Sequence, residues 1–355
     1  MKKISSLSAF ILAIIFALTA CASPVAPPAT ASSPQGAESA SGGASAQPAE
    51  YKYGKIDIPG LDGALCGAPI YIAYEKGFFA EAGFDVNLIS ADFETRKIGL
   101  NNGTIPIVNG DFQFFPSIEE GVKVKVVDGL HKGCIKIIVP EGSPIKSAED
   151  LRGKKIGVDE IGGTPFQVAS LWLENHGIVA KDNKEVTFVP YSDGNLEIEA
   201  AQKGEIDAAA IWDPVGSLAV KNKGFVEIFD LSTDPLFADK YCCFLFASEK
   251  LIEEDPEKIA ALLSAYNKAQ DWIYNNPEET VDIISDKKYS DITDKELAIE
   301  LIKSYQYPSL QQQLDKVTNV ADNVLYFVDE LAKVGYLKTT DPAKFASEIY
   351  ADVKA

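Results

Sequence analysis

Between Lys55 and Phe229 the sequence runs through one alternation of strands and helices and then begins it again, and this doubling constrains the fold more than any other feature. In the first pass Lys55–Ile58, Asp85–Ile89, Ile105–Asn109, Val124–Val127 and Ile135–Val139 read as strands. Helices over Pro69–Lys76, Thr95–Asn101 and Phe114–Glu120 separate them, punctuated by Gly77, Gly83 and Gly103. The second pass opens at Ser147-Ala148-Glu149-Asp150. Strands follow at Lys155–Val158, Val186–Val189, Ala208–Ile211 and Val226–Phe229, with helices from Thr164, over Leu196–Lys203 and over Pro214–Lys221. Thr164-Pro165-Phe166-Gln167 has the form of a capping box, with Thr164 at the N-cap and Pro165 next. The passes rhyme 101 residues apart: Asn102-Gly103-Thr104-Ile105-Pro106 and Lys203-Gly204-Glu205-Ile206-Asp207 each end a helix and enter an apolar strand. Each strand then meets a turn with an aspartate beside an aromatic, Asp111-Phe112 and Trp212-Asp213. Such alternation specifies an α/β chain built on mostly parallel sheets, here in two lobes. After a further strand over Tyr241–Ala247 the chain turns helical, with a start at Asp255-Pro256-Glu257 and the longest helix expected over Leu310–Val334, closed by Gly335.

The first residues carry a different signal. Lys2 and Lys3 precede an apolar run, Phe10–Ala20, which is shorter than the roughly 20 residues a bilayer span needs and suits the core of an export signal. The run ends in Leu18-Thr19-Ala20-Cys21, which matches the bacterial lipobox. Residues 1–20 are therefore expected to be a lipoprotein signal peptide and Cys21 the lipidated residue. Ala, Ser, Pro and Gly dominate as far as Glu50, so 21–50 is expected to be a disordered, lipid-anchored linker. An extracytoplasmic, membrane-tethered body follows, and its ~300 residues suffice for two cores.

The chain carries 33 basic and 52 acidic residues, and loss of Lys2 and Lys3 with the signal deepens the imbalance. That argues against nucleic acid or an anionic membrane surface as a partner. Of five cysteines, Cys66, Cys134, Cys242 and Cys243 remain beyond Cys21, an even number that permits disulfides or free thiols.

Ala68-Pro69-Ile70-Tyr71-Ile72-Ala73-Tyr74-Glu75-Lys76-Gly77-Phe78-Phe79, with Gly83-Phe84-Asp85-Val86 after it, resembles the opening of the nitrate/sulfonate/taurine and thiamine-pyrimidine solute-binding proteins. Ser143-Pro144 through Gly157-Val158 resembles the segment entering their second lobe, and Gly204-Glu205-Ile206-Asp207-Ala208 with Trp212-Asp213-Pro214 resembles a strand and turn within it. The resemblance implies a type II periplasmic-binding fold, two α/β lobes joined by a two-strand hinge, with extra C-terminal helices. It places 51–138 plus 245–355 in lobe 1 and 139–244 in lobe 2, with Ile135–Val139 and Tyr241–Ala247 crossing between them. It also implies the solute-binding subunit of an ABC importer, a monomer handing a small molecule to permease subunits that work with a cytoplasmic ATPase.

Ligands of open α/β sheets sit beyond the carboxyl ends of strands, at helix N-termini. That rule nominates Cys66, Asp111, Phe112 and Gln113 in the first lobe, and Gly162, Gly163, Thr164, Asn195, Trp212 and Asp213 in the second. Gly162-Gly163-Thr164 is the expected anion cradle, which favours a sulfonate-like organic anion. Trp212, Phe112 and Tyr241 instead favour a planar heterocycle such as a thiamine-pyrimidine precursor. His131, just before the first crossing strand, completes the set, whereas His176 at a helix end is accounted for by the helix dipole.

No catalytic motif is present: there is no Gly-x-Ser-x-Gly elbow, HExxH or P-loop. Cys242-Cys243-Phe244 is similar to the cysteine-rich motif of the yeast thiamine-pyrimidine synthase but has fewer cysteines, and export argues against that intracellular chemistry. The expectation is a binding protein without enzymatic activity or cofactor. A metal site built from Cys66, His131, Cys134, Cys242 and Cys243 is an alternative that no CxxC-type spacing supports.

Overall fold

The computed structural model describes residues 51–354; the expected signal peptide, Cys21 and the expected linker lie outside them. The strands are β1 (Lys55–Pro59), β2 (Asp85–Ile89), β3 (Ile107–Asp111), β4 (Val124–His131), β5 (Ile135–Pro140), β6 (Lys155–Val158), β7 (Thr187–Pro190), β8 (Ala208–Trp212), β9 (Phe225–Asp230) and β10 (Cys243–Ser248). They form a parallel pair β1-β2, an antiparallel sheet β3-β10-β4, and a five-stranded sheet in the order β7-β6-β8-β5-β9. In the last sheet β6 runs parallel to β7 and β8, and β5 runs antiparallel to β8 and β9.

The composition of the central strands explains their position. β10 (Cys-Phe-Leu-Phe-Ala-Ser) is buried at every residue and β5 at every residue but its last, the near-continuous apolar pattern of strands covered on both faces. β10 lies whole in the three-stranded sheet and β5 whole in the five-stranded one. The chain thus passes between sheets at 132–134 and returns at 231–242, and the two passages touch: Cys242 N–H donates to the His131 carbonyl at 3.0 Å.

Among the described residues the helix Pro256–Asn275 is the longest, at 20 residues, with Asp255 accepting from Lys258 N–H at its start and Ile259, Leu262, Leu263, Tyr266, Ala269 and Ile273 on its buried face. The single helix expected over Leu310–Val334 is broken into Leu310–Leu314 and Val320–Lys333. Lys316 turns left-handed at φ 49°, and Asn319 caps the second piece by accepting from Asp322 N–H. The apolar residues that suggested continuity, Leu310, Leu314 and Val317, are 50%, 69% and 67% exposed and bury nothing that would hold the turns together. Val320–Lys333 lies against both lobes, with Asn175 Nδ2 donating to Glu330 at 3.1 Å and the following Tyr336 hydroxyl donating to Ser170 at 3.1 Å. No helix among the described residues is long and apolar enough to cross a membrane.

Candidate functional site

β3 and β8, the rhyming strands of the two passes, end on opposite sides of a cleft of about 720 Å³. Asp111 closes β3 and Trp212 closes β8. Around them stand Asp62, Cys66, Phe93, Arg96, Asn109, Gln113, His131 and Cys243 from the first lobe, and Asp159, Ser192 and Asp213 from the second.

Two hydrogen bonds tie the walls together. Thr164 Oγ1 donates to Asp111 Oδ1 at 2.5 Å, and Gln113 Nε2 donates to Glu160 Oε1 at 2.5 Å. Asp111 Oδ1 also accepts from Gln113 N–H at 2.9 Å, while Trp212 Nε1 donates to Asp159 at 2.9 Å. Arg96 reaches the cleft but is engaged: Nη2 lies 2.8 Å from Asp62 Oδ2, and Nε donates to the Ala91 carbonyl at 2.9 Å.

Burial governs the charges. It pushes the Asp111 carboxyl up to about 7, helped by Cys243 and opposed by the hydrogen bonds from Thr164 and Gln113. It raises Asp159 despite the bond from Trp212. Asp213 is lifted to about 6 by the same cause, against the pull of Lys136, whose ammonium lies 3.9 Å away and also pairs with Glu227 and Asp230.

Behind Asp159, Glu197 is 1% exposed and its Oε2 has no hydrogen-bond partner. Burial, with Asp159 and Asp193 nearby, moves its carboxyl from an ordinary 4.5 to about 9. The folded chain therefore holds a proton there that the unfolded chain releases above about pH 4.5, so stability falls as pH rises from there towards 9. Glu197→Gln removes this dependence and is expected to stabilise the protein by about 1–3 kcal/mol at pH 8 with little change at pH 4.5. Urea unfolding of both proteins at the two pH values checks it.

Of the residues nominated from sequence, Cys66, Asp111, Gln113, His131, Trp212 and Asp213 line the cleft. Phe112 does not: it is fully buried, stacked on Phe327 at 4.3 Å. Tyr241 lines a separate cavity of about 290 Å³ with Lys132 and Tyr307. Asn195 is exposed and accepts from Lys223 at 3.2 Å. Gly162, Gly163 and Thr164 sit behind the lining. The cap itself differs from the expected box: the N-cap of Thr164–Asn175 is Gly163, which has no side chain to cap with, and the hydroxyl of Thr164, one position on, is turned to Asp111. The anion at this helix start is thus the protein's own carboxylate. Arg96 carries no strand-end signal of its own: the exit of β2 leads through the N-cap Asp92 into the helix Phe93–Asn102, and Arg96 reaches the cleft from within that helix.

Paired α/β lobes crossed twice by the chain, with a polar and aromatic cleft between them, are the architecture of the periplasmic-binding-protein fold. The chain belongs to the NMT1/THI5-like family, whose pattern matches residues 67–280. It is 28% identical over 218 residues to a Brucella abortus protein named only as a binding protein, a match covering 60% of this chain and 65% of that one. The chain therefore spans about 65% of the length of these first relatives. It is 26% identical over 237 residues to a Bacillus subtilis protein named for binding aliphatic sulfonates, covering 62% and 67%. The fold is shared with the periplasmic aliphatic sulphonate binding protein of Escherichia coli, at a TM-score of 0.65, 16% identity, and coverage of 85% and 92%.

Proposed function

We propose that the chain captures a small, planar, amino-bearing nitrogen heterocycle, of the aminopyrimidine class, and presents it to a permease without altering it. The observation that carries this reading is the charge of the cleft. Asp62, Asp92, Asp111, Asp159 and Asp213 line it, against Arg96 as the one guanidinium or ammonium, already paired with Asp62. A carboxylate accepts two parallel N–H bonds from an amino-substituted ring protonated at the nitrogen beside the amino group, and Trp212 offers a face for the ring to stack on. A ligand touching Asp111 and Trp212 at once spans both lobes, and its preference for the closed arrangement sets how far it shifts the hinge. Lipid attachment at Cys21 would hold the protein outside the cytoplasmic membrane, beside the permease.

A sulfonate-like anion is the second reading. It is favoured by the relatives named for sulfonates and by Arg96, which an incoming anion would draw from Asp62. Thermal melting of the full chain with 4-aminopyrimidines, alkanesulfonates and nitrate separates the two. A ligand at a hundredfold excess over its Kd adds about 2.7 kcal/mol. Stabilisation by the aminopyrimidine, lost in Trp212→Ala and Asp111→Asn, supports the first reading; stabilisation by the sulfonate alone, lost in Arg96→Ala, replaces it with the second.

A further inference from the structure

At the floor of the cleft, where the two crossing passages meet, the fold gathers every cysteine of the described residues around one histidine. The donor atoms of Cys66, His131 and Cys134 all lie within 4.8 Å of one another, as do those of Cys134, Cys242 and Cys243. Cys134 belongs to both groups. Its sulfur is 3.4 Å from that of Cys242, which is 3.8 Å from that of Cys243. Two thiolates on one tetrahedral ion with bonds of about 2.3 Å stand roughly 3.8 Å apart, so these separations need little adjustment.

His131 distinguishes this cluster from cysteines that merely fill space. The ring is fully buried, and its Nδ1 lies 3.1 Å from the Lys132 carbonyl. Donation from Nδ1 to that carbonyl fixes the tautomer and leaves Nε2 with a lone pair, the arrangement metal-binding imidazoles adopt. Nε2 has no hydrogen-bond partner among the described residues, and the thiols of Cys66 and Cys243 stand beside the ring. A buried acceptor left unpaired destabilises the fold, and a metal bond at that atom would offset the cost. The loop that carries the Cys66 thiol is held in place, with the Tyr307 hydroxyl donating to the Cys66 carbonyl at 2.8 Å. Cys66, His131 and Cys243 also line the cleft, which gives an ion a route in from solvent.

We propose that Cys66, His131 Nε2, Cys134 and one thiol of the Cys242–Cys243 pair bind a single thiophilic metal ion of the Zn²⁺ type. Binding turns three thiols into thiolates and releases their three protons to solvent, so the site passes from neutral to a net charge of −1 with a divalent ion. The donors come from the loop after β1, the end of β4, the first passage and the start of β10, so the ion would pin the hinge to the first lobe.

The test uses the full chain carrying Cys21→Ser, which removes the one cysteine outside the cluster, kept reduced and free of oxygen. Zn²⁺ affinity is read by competition with a chelating dye, and Co²⁺ reports coordination through its visible and sulfur-to-metal charge-transfer bands. The expected result is one equivalent of tightly held Zn²⁺ and a tetrahedral, thiolate-rich Co²⁺ spectrum. Cys134→Ser should weaken Zn²⁺ binding by about 100-fold or more and His131→Gln by about 10–100-fold, with the metal-free melting curve retained. Should Cys134→Ser fail to fold, Cys66→Ser, on the cleft side, carries the same expectation. Absence of stoichiometric Zn²⁺ in the reduced protein, or unchanged affinity in the folded cysteine variants, overturns the proposal. No solute is present in these measurements, so their failure leaves the aminopyrimidine reading untouched, and failure of that reading leaves these.

Discussion

Alanine at Gly133 is expected to lower the unfolding free energy by about 3 kcal/mol or more, the combined cost of a crowded methyl group and a left-handed non-glycine residue. Gly133 lies in the first passage between the sheets at φ 38°, and a Cβ built there would stand 2.6 Å from Ser232 Cα in the returning passage. Backbone on one side and backbone on the other leave nothing flexible to give way. Urea unfolding of the Gly133→Ala protein checks this directly. A loss below about 0.5 kcal/mol, the range of an ordinary surface change, would mean that the two passages are not seated against each other.

Lys136→Met is the second large effect, expected at about 3–5 kcal/mol. Lys136 is 7% exposed in β5, where its ammonium meets Asp213, Glu227 and Asp230. Removing it leaves the buried Asp213 carboxylate without its counter-charge at the cleft wall, and uncompensated buried charge is what makes such deletions costly. If that is the cause, adding Asp213→Asn and Asp230→Asn to Lys136→Met should recover most of the loss. A triple variant no more stable than the single would assign the effect to packing of the lysine stem instead.

Much of this protein was written locally. Asp255-Pro256 starts its helix as its residue types require, because an N-cap side chain and a proline at the first turn act within a few residues. The apolar strands and the doubled alternation between Lys55 and Phe229 carried the two-lobe class, since burial on two faces needs an unbroken hydrophobic run. The strand-end rule reached Asp111 and Trp212 for the same reason: a strand's exit is fixed by where its own residues stop.

The tertiary structure alone decided the rest. Phe112 and Asp111 are neighbours, yet one stacks in the core on Phe327 and the other faces the cleft, because Asp111 ends β3 and Phe112 stands in the turn beyond it, where only packing says which side is inside. Thr164 has the residue type of a cap but bonds Asp111 from the other lobe, a partner 53 positions away. Leu310, Leu314 and Val317 hold the spacing of a helix face and have nothing to pack against. The thiols at 66, 134, 242 and 243 have no motif spacing, and meet His131 only because the chain crosses twice at one place. Propensity and patterning act over a turn or a strand, whereas a site is made by contacts between distant segments, and their geometry exists only once the sheets have packed.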